Sequence, residues 1–196
     1  VEIKLNCQAD PETVKAEKPD AVILAHGSNV SCPPIAGLNK AVDSIEAIRH
    51  PEKIGDTVVV VGGGLVGCEI AYDLAKDGNR KVTVVEALDK IMAAGGAQPI
   101  PNDMMMHDLL DYYGVKVLTS TKLVEVRDDG AVVENGEGVT ELKADTVISA
   151  LGFRPAPSMK DQLADLDVPV YEIGDAVRAR TIMASIWDGF DAANEI

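Results

Sequence analysis

The chain has 196 residues, 46% of them apolar and 26% charged, which is ordinary for a soluble globular protein with one good core or two modest ones. Lysine and arginine total 18 against 32 acids, a net charge of −14 that repels phosphate backbones and anionic headgroups, and no apolar run reaches the roughly 20 residues a bilayer requires. Nucleic acid and membrane are set aside as partners, and the scattered Cys7, Cys32 and Cys68, without CxxC or metal-ligand spacing, read as buried structural thiols of a reducing cytoplasm with no metal site.

In chain order, residues 2–6 (EIKLN) alternate as a strand, Asp10-Pro11-Glu12 open a short helix, and a buried strand over 20–25 ends on Gly27. Residues 28–56 are rich in proline and glycine, carry one amphipathic stretch from Val42 to Ile48, and read as a crossing between domains. From Thr57 the pattern sharpens into TVVVV, a glycine loop Gly62-Gly63-Gly64-Leu65-Val66-Gly67, a helix to about Lys76, a turn at Asp77-Gly78-Asn79, and a strand from Lys81 to Val85 that ends at Glu86. That is one βαβ unit. Past a loop holding Gly95 and Gly96 come a helix over 103–112, stopped by Gly114, and a strand over 115–118. Residues 122–142 alternate and turn at 128–130 and 135–138, which predicts a three-stranded antiparallel meander. A buried strand over 145–150 ends on Leu151-Gly152, a polar excursion leads to a strand over 169–173, and the Gly174-Asp175 pair precedes a last helix from Thr181 to Glu195. AVILAHG at 21–27 and TVISALG at 146–152 echo one another as buried strands ending on an alanine-x-glycine turn.

A pyrophosphate needs backbone N–H groups at a helix N-terminus and approaches them only where side chains are missing. Gly62 suits the tight turn, Gly64 the close approach and Gly67 the packing of helix on strand. The loop follows a β-branched strand, precedes an amphipathic helix and meets an acid about 20 residues beyond its last glycine, the context that gives the GxGxxG pattern its mechanism. Glu86, at the end of the second strand, is the acceptor for the adenosine ribose hydroxyls and would repel a 2′-phosphate, which favours NAD(H) over NADP(H). Lys90 is the nearby cation on which an NADP(H) reading would rest. Glu69, read as lying in the first turn of the helix, either complements the helix dipole or reaches toward the nicotinamide end.

GGGLVGCEIA followed by VVE resembles the NAD domain of the two-dinucleotide-fold flavoprotein reductases, of the pyridine nucleotide-disulfide oxidoreductase superfamily, and the resemblance runs over nearly the whole chain. DAVILAHG at 20–27 resembles the strand leaving the first part of an FAD domain, DTVISALGFRP at 145–155 the return from the NAD domain, and VYEIGD at 170–175 the strand whose aspartate holds the flavin ribityl chain. The expected fold is therefore α/β: a Rossmann-like three-layer dinucleotide-binding domain over 51–150, with an antiparallel β-meander, inserted in a partial second domain of the same type formed by 1–50 and 151–196. The resemblance adds Gly152, in the return from the NAD domain, and Ala25, Gly27, Gly174 and Asp175 on the flavin side as cofactor-binding residues, and His26 departs from it, standing where threonine is usual. No CxxC marks a thioredoxin reductase, Leu65-Val66 replaces the aspartate-threonine pair of glutamate-synthase small subunits, and one helix follows Asp175 where glutathione-reductase-like members continue into a dimerisation domain. The chain thus resembles the C-terminal part of the Old Yellow Enzyme-like NADH:flavin oxidoreductases: 2,4-dienoyl-CoA reductase, 2-enoate reductase and trimethylamine dehydrogenase.

That resemblance implies FAD in the full-length protein, and FMN with an iron–sulfur cluster in a domain upstream in the same polypeptide. It implies hydride transfer from NADH to FAD, with the electrons used to reduce an activated C=C bond. Cofactors supply such redox chemistry and the protein supplies position and electrostatics, so no acid–base or nucleophilic residue is nominated, and His50 and His107 read as linker and solvated surface. Two alternatives stay open: a fragment of a pyridine nucleotide-disulfide reductase, and a nucleotide-binding module without turnover when isolated.

Overall fold

The computed structural model describes residues 1–93 and 99–196, so the expected loop at Gly95 and Gly96 lies outside the described residues. In chain order the elements are α1 (Pro11–Ala16), β1 (Val22–Leu24), β2 (Ser28–Val30), β3 (Val42–Asp43), α2 (Ser44–Arg49), β4 (Thr57–Val61), α3 (Leu65–Ala75), β5 (Lys81–Val85), α4 (Ile100–Tyr112), β6 (Lys116–Leu118), β7 (Lys122–Arg127), β8 (Gly130–Asn135), β9 (Gly138–Lys143), β10 (Thr146–Ser149), β11 (Phe153–Pro155), β12 (Val170–Glu172) and α5 (Ile182–Glu195). The chain divides into two units, residues 30–152 and residues 1–29 with 153–196. Among the described residues no helix is long and apolar enough to cross a membrane.

Residues 30–152 are built on a five-stranded sheet in the order β3-β10-β4-β5-β6, every neighbouring pair parallel. The run TVVVV is continuous rather than alternating because β4 is central and covered on both faces. Val58 and Val60 point into a cluster with Cys68, Ala71 and Leu74 of α3 and Met106 and Leu110 of α4. Val59 and Val61 point the other way, against Val126, Ala131 and Val133 of the meander. Helices, parallel sheet and meander make the three layers of a Rossmann-like dinucleotide-binding fold. Full burial of each valine contributes about 1.5–3 kcal/mol, so the central strand anchors both outer layers. The meander has the expected order β7-β8-β9, with Arg127 opposite Gly130 and Asn135 opposite Gly138, each hairpin closed by a two-residue loop.

The other unit holds the parallel pair β1 and β12, whose Val22 and Leu24 pack with Leu163 and with Val14 of α1. Asp10 caps α1 through Thr13 N–H at 2.8 Å, and Thr181 caps α5 through Ala184 N–H at 3.3 Å, both where the sequence puts a helix start.

Several expectations need correction. Residues 2–6 form no strand; Ile3 and Leu5 are 75% and 80% exposed, and without a ladder partner an alternating pattern does not make a strand. The expected crossing at 28–56 is structured: β3 pairs with β10, Asp43 ends that strand and caps α2 by accepting from the N–H groups of Ile45 and Glu46 at 2.9 Å each, and Ala47 and Ile54 enter the main core. The two units of the structure divide at 29/30 and 152/153. Helix α4 starts at Ile100 instead of 103, because Pro101 fits the first helical turn, where its missing N–H costs nothing. Of the three cysteines expected to be buried only Cys68 is; Cys7 and Cys32 are exposed.

Candidate functional site

Gly62, Gly63 and Gly67 of the loop between β4 and α3 each answer a different steric demand. Gly62 has φ of +107°, and a Cβ there would sit 2.3 Å from the Ala150 carbonyl oxygen, so the chain turns off the end of β4 only without a side chain. At Gly67 a Cβ would lie 1.8 Å from the Gly62 carbonyl oxygen, which is the close packing of α3 on the strand end. Gly63 faces Ile91 and Glu86, where a Cβ would come within 2.7 Å of the isoleucine side chain. Gly64 is different. Its backbone is extended (φ −71°, ψ −177°), and a Cβ there would meet nothing within 4 Å. The space above Gly64 is open, and nothing in the packing of the chain requires a glycine there.

Gly64 is also the N-cap of α3 and offers no side chain to its first turn. The first helical bond inside the chain runs from Cys68 N–H to Gly64 O at 3.0 Å, so the amides of Leu65, Val66 and Gly67 precede the ladder. Their N–H groups and the positive end of the helix dipole are suited to an anion.

Glu86 follows β5 and is 8% exposed. Its Oε2 accepts from Gly63 N–H at 2.7 Å and its Oε1 from Leu88 N–H at 2.8 Å, so the carboxylate ties the glycine loop to the turn after β5. Each oxygen keeps lone pairs for a further donor, as a ribose diol would supply. The sequence pointed to the acceptor role and missed the structural one, which no local pattern signals across 23 residues. Lys90 and Asp89 beside it are both exposed.

Glu69 stands apart from this constellation. It is the fifth residue of α3, beyond the first turn in which it was expected, and is solvent-exposed. Cys68, one residue before it, is fully buried; burial, and then the charges of Glu86 and Glu69, push its thiol up to about 12, so at neutral pH it stays protonated and unreactive. Gly152 has φ of +83° at the end of the unit, and its carbonyl accepts from Ser31 N–H at 2.8 Å. His107 is exposed on α4, and His50 bonds Glu52 at 3.1 Å.

In the other unit, Ala25 leaves β1, and Gly27 turns at φ of +75°, where a Cβ would meet nothing within 4 Å, while its carbonyl accepts from Ala156 N–H at 3.1 Å. His26 Nε2 lies 3.2 Å from the Ala156 carbonyl. Gly174 and Asp175 follow β12, and the half-buried Asp175 carboxylate is met from two sides: Ser28 Oγ donates to Oδ2 at 3.4 Å and Arg180 N–H donates to Oδ1 at 3.2 Å. Neither partner was legible in the sequence, since a serine 147 positions away and a backbone amide carry no motif.

A parallel sheet with a bare glycine turn at the head of the helix after its central strand, and a carboxylate ending the next strand, defines a Rossmann-like dinucleotide-binding α/β protein. The comparisons make this specific: the chain belongs to the pyridine nucleotide-disulphide oxidoreductase family, whose model matches residues 2–186. It is 33% identical to the cinnamate reductase of Clostridium sporogenes over 199 residues, covering 100% of this chain and 29% of that protein. It is 36% identical to the NADH oxidase of Thermoanaerobacter brockii over 205 residues, covering 100% of this chain and 31% of that protein. Among solved structures, 2-naphthoyl-CoA reductase superposes with a TM-score of 0.88 at 28% identity, over 100% of this chain and 30% of the other. The chain thus spans about a third of the length of the relatives it matches.

Proposed function

We propose that this chain is the NADH- and FAD-contacting portion of a larger flavin-dependent oxidoreductase of the Old Yellow Enzyme-like NADH:flavin type. The observation that carries the reading is the uncapped N-terminus of α3 behind a glycine whose side-chain position is open, with the Glu86 carboxylate beside it. When bound, NADH supplies a hydride to FAD, and the electrons serve an FMN and iron–sulfur domain of the same polypeptide in reducing an activated C=C bond. The part of this chain is binding and orientation. The amides of Leu65, Val66 and Gly67 take the NADH pyrophosphate, Gly62 and Gly67 fix the turn, and Glu86 accepts from the adenosine ribose. Asp175 accepts from ribityl hydroxyls, flanked by Gly174, with Ala25 and Gly27 at the neighbouring turn and Gly152 ending the inserted unit. The relatives support this reading by their names, two reductases and an NADH oxidase, and by their threefold greater length.

Residues 1–196 contain a single GxGxxG, and the reading gives it to NADH. A flavin pyrophosphate needs amides of its own, so residues 1–196 purified alone are expected to be colourless, and the full-length protein yellow, with its flavin band bleached by NADH under anaerobic conditions. Absorbance spectra of both preparations check this. A fragment that carries one FAD per chain would contradict the assignment of the two halves, and a full-length protein without flavin would end the reading.

A further inference from the structure

The Asp175 carboxylate is set by a short segment, 174–180, and both ends of that segment converge on one side chain that the functional reading does not use. Gly174 turns at φ of +61° under α5, where a Cβ would come within 3.1 Å of Ser185 Oγ. Its N–H donates to Asp188 Oδ2 at 3.0 Å. The same Asp188 carboxylate pairs with the Arg180 guanidinium, and the Arg180 backbone N–H is the group that bonds Asp175 Oδ1. Asp188 is the seventh residue of α5, and its side chain is 26% exposed, so the ion pair is partly shielded from water.

We propose that Asp188 is a positioning residue for the cofactor site: by holding Gly174 on one side and Arg180 on the other, it fixes where the Asp175 carboxylate points. The proposal rests on the reading of Asp175 as a flavin hydroxyl acceptor. An aspartate carboxylate can turn about χ1 and χ2, and beside the Ser28 bond the two contacts of Asp188, which immobilise the backbone before Asp175 and the amide donor after it, remove part of that freedom before the ligand arrives. The plain alternative is that Asp188 only stitches α5 to the turn after β12. The two differ in whether removal of Asp188 still matters once Asp175 is gone.

The experiment is a double-mutant cycle on the full-length protein, stripped of flavin and refilled with FAD, with the dissociation constant read from quenching of flavin fluorescence. Asp188→Ala is expected to weaken FAD binding about tenfold, and Asp188→Asn, which keeps an oxygen for Gly174 N–H but gives up the charge that holds Arg180, to recover only part of that loss. In the Asp175→Ala background, Asp188→Ala is expected to add nothing. Losses that multiply across the two sites, or an Asp188→Ala protein with wild-type FAD affinity, overturn the proposal. If the alanine variant does not stay folded, Asp188→Glu, which moves the carboxylate by one methylene, takes its place in the same cycle with the same outcomes. An Asp175→Ala variant that binds FAD like wild type overturns the underlying role of Asp175 and the proposal with it, and it does so in a single variant before Asp188 is altered.

Discussion

Gly67→Ala is expected to unsettle the whole unit of residues 30–152. The added methyl would lie 1.8 Å from the Gly62 carbonyl oxygen, 3.0 Å from the Gly62 carbonyl carbon and 3.3 Å from Ala150 Cβ. Two of these three atoms are backbone, and Gly62 itself is pinned by its N–H bond to Val85 O at 2.8 Å, so the strain cannot be relieved by a rotamer change. Helix α3 must lift from β4, and Cys68, Ala71 and Leu74 move with it out of the main core. Overpacking of this kind costs about 1–3 kcal/mol or more, a large share of a domain's net stability. Thermal unfolding followed by circular dichroism measures it, with a melting point several degrees lower expected and dinucleotide binding lost in parallel. A variant that melts like wild type would mean that the helix does not approach the strand as described.

Gly64→Val is expected to do the opposite, leaving the fold intact and removing binding. Its φ of −71° and ψ of −177° are extended backbone that valine adopts readily, and its Cβ would meet nothing within 4 Å, so the main cost to the unliganded chain is the preference of a helix N-cap for glycine over valine, about 1 kcal/mol. In the proposed reading the open space above Gly64 holds the pyrophosphate against the amides of α3. The isopropyl group would fill it, and dinucleotide affinity should fall at least about a hundredfold, or ~2.7 kcal/mol. Circular dichroism and calorimetric titration on one sample separate the two effects. A folded Gly64→Val chain with unchanged affinity would put the phosphates elsewhere.

These two glycines show what a sequence can and cannot carry. Spacing alone pointed to Gly62 for the turn and Gly67 for the packing of helix on strand, because each is a local demand of a strand-to-helix turn. The TVVVV run, the meander and its two-residue turns were legible for the same reason: period, length and turn residues are local signals. The β3 and α2 segment was not, since a two-residue edge strand joins the sheet only by pairing with β10, about a hundred residues later in the chain. The strand expected at 2–6 failed for the converse reason, a correct pattern with no ladder to join. Glu86 was legible as an acid at a strand end, whereas its bonds to Gly63 and Leu88 depend on the fold having brought β4 and β5 together. Around Asp175 the motif was visible and its supports, Ser28, Arg180 and Asp188, were not, since a carboxylate's donors need share no spacing with it.

The central claim, that the loop at 62–67 with Glu86 holds NADH, is tested most directly by calorimetric titration of the folded chain with NADH and, in a matched run, with NADPH. Glu86 faces the adenosine ribose in this reading, and a 2′-phosphate there would set two negative groups against each other in a partly desolvated position. The expected result is one NADH site, with NADPH weaker by at least about tenfold. Binding of NADPH as tight as or tighter than NADH would contradict the role of Glu86, and a folded chain that takes up neither cofactor would contradict the site itself.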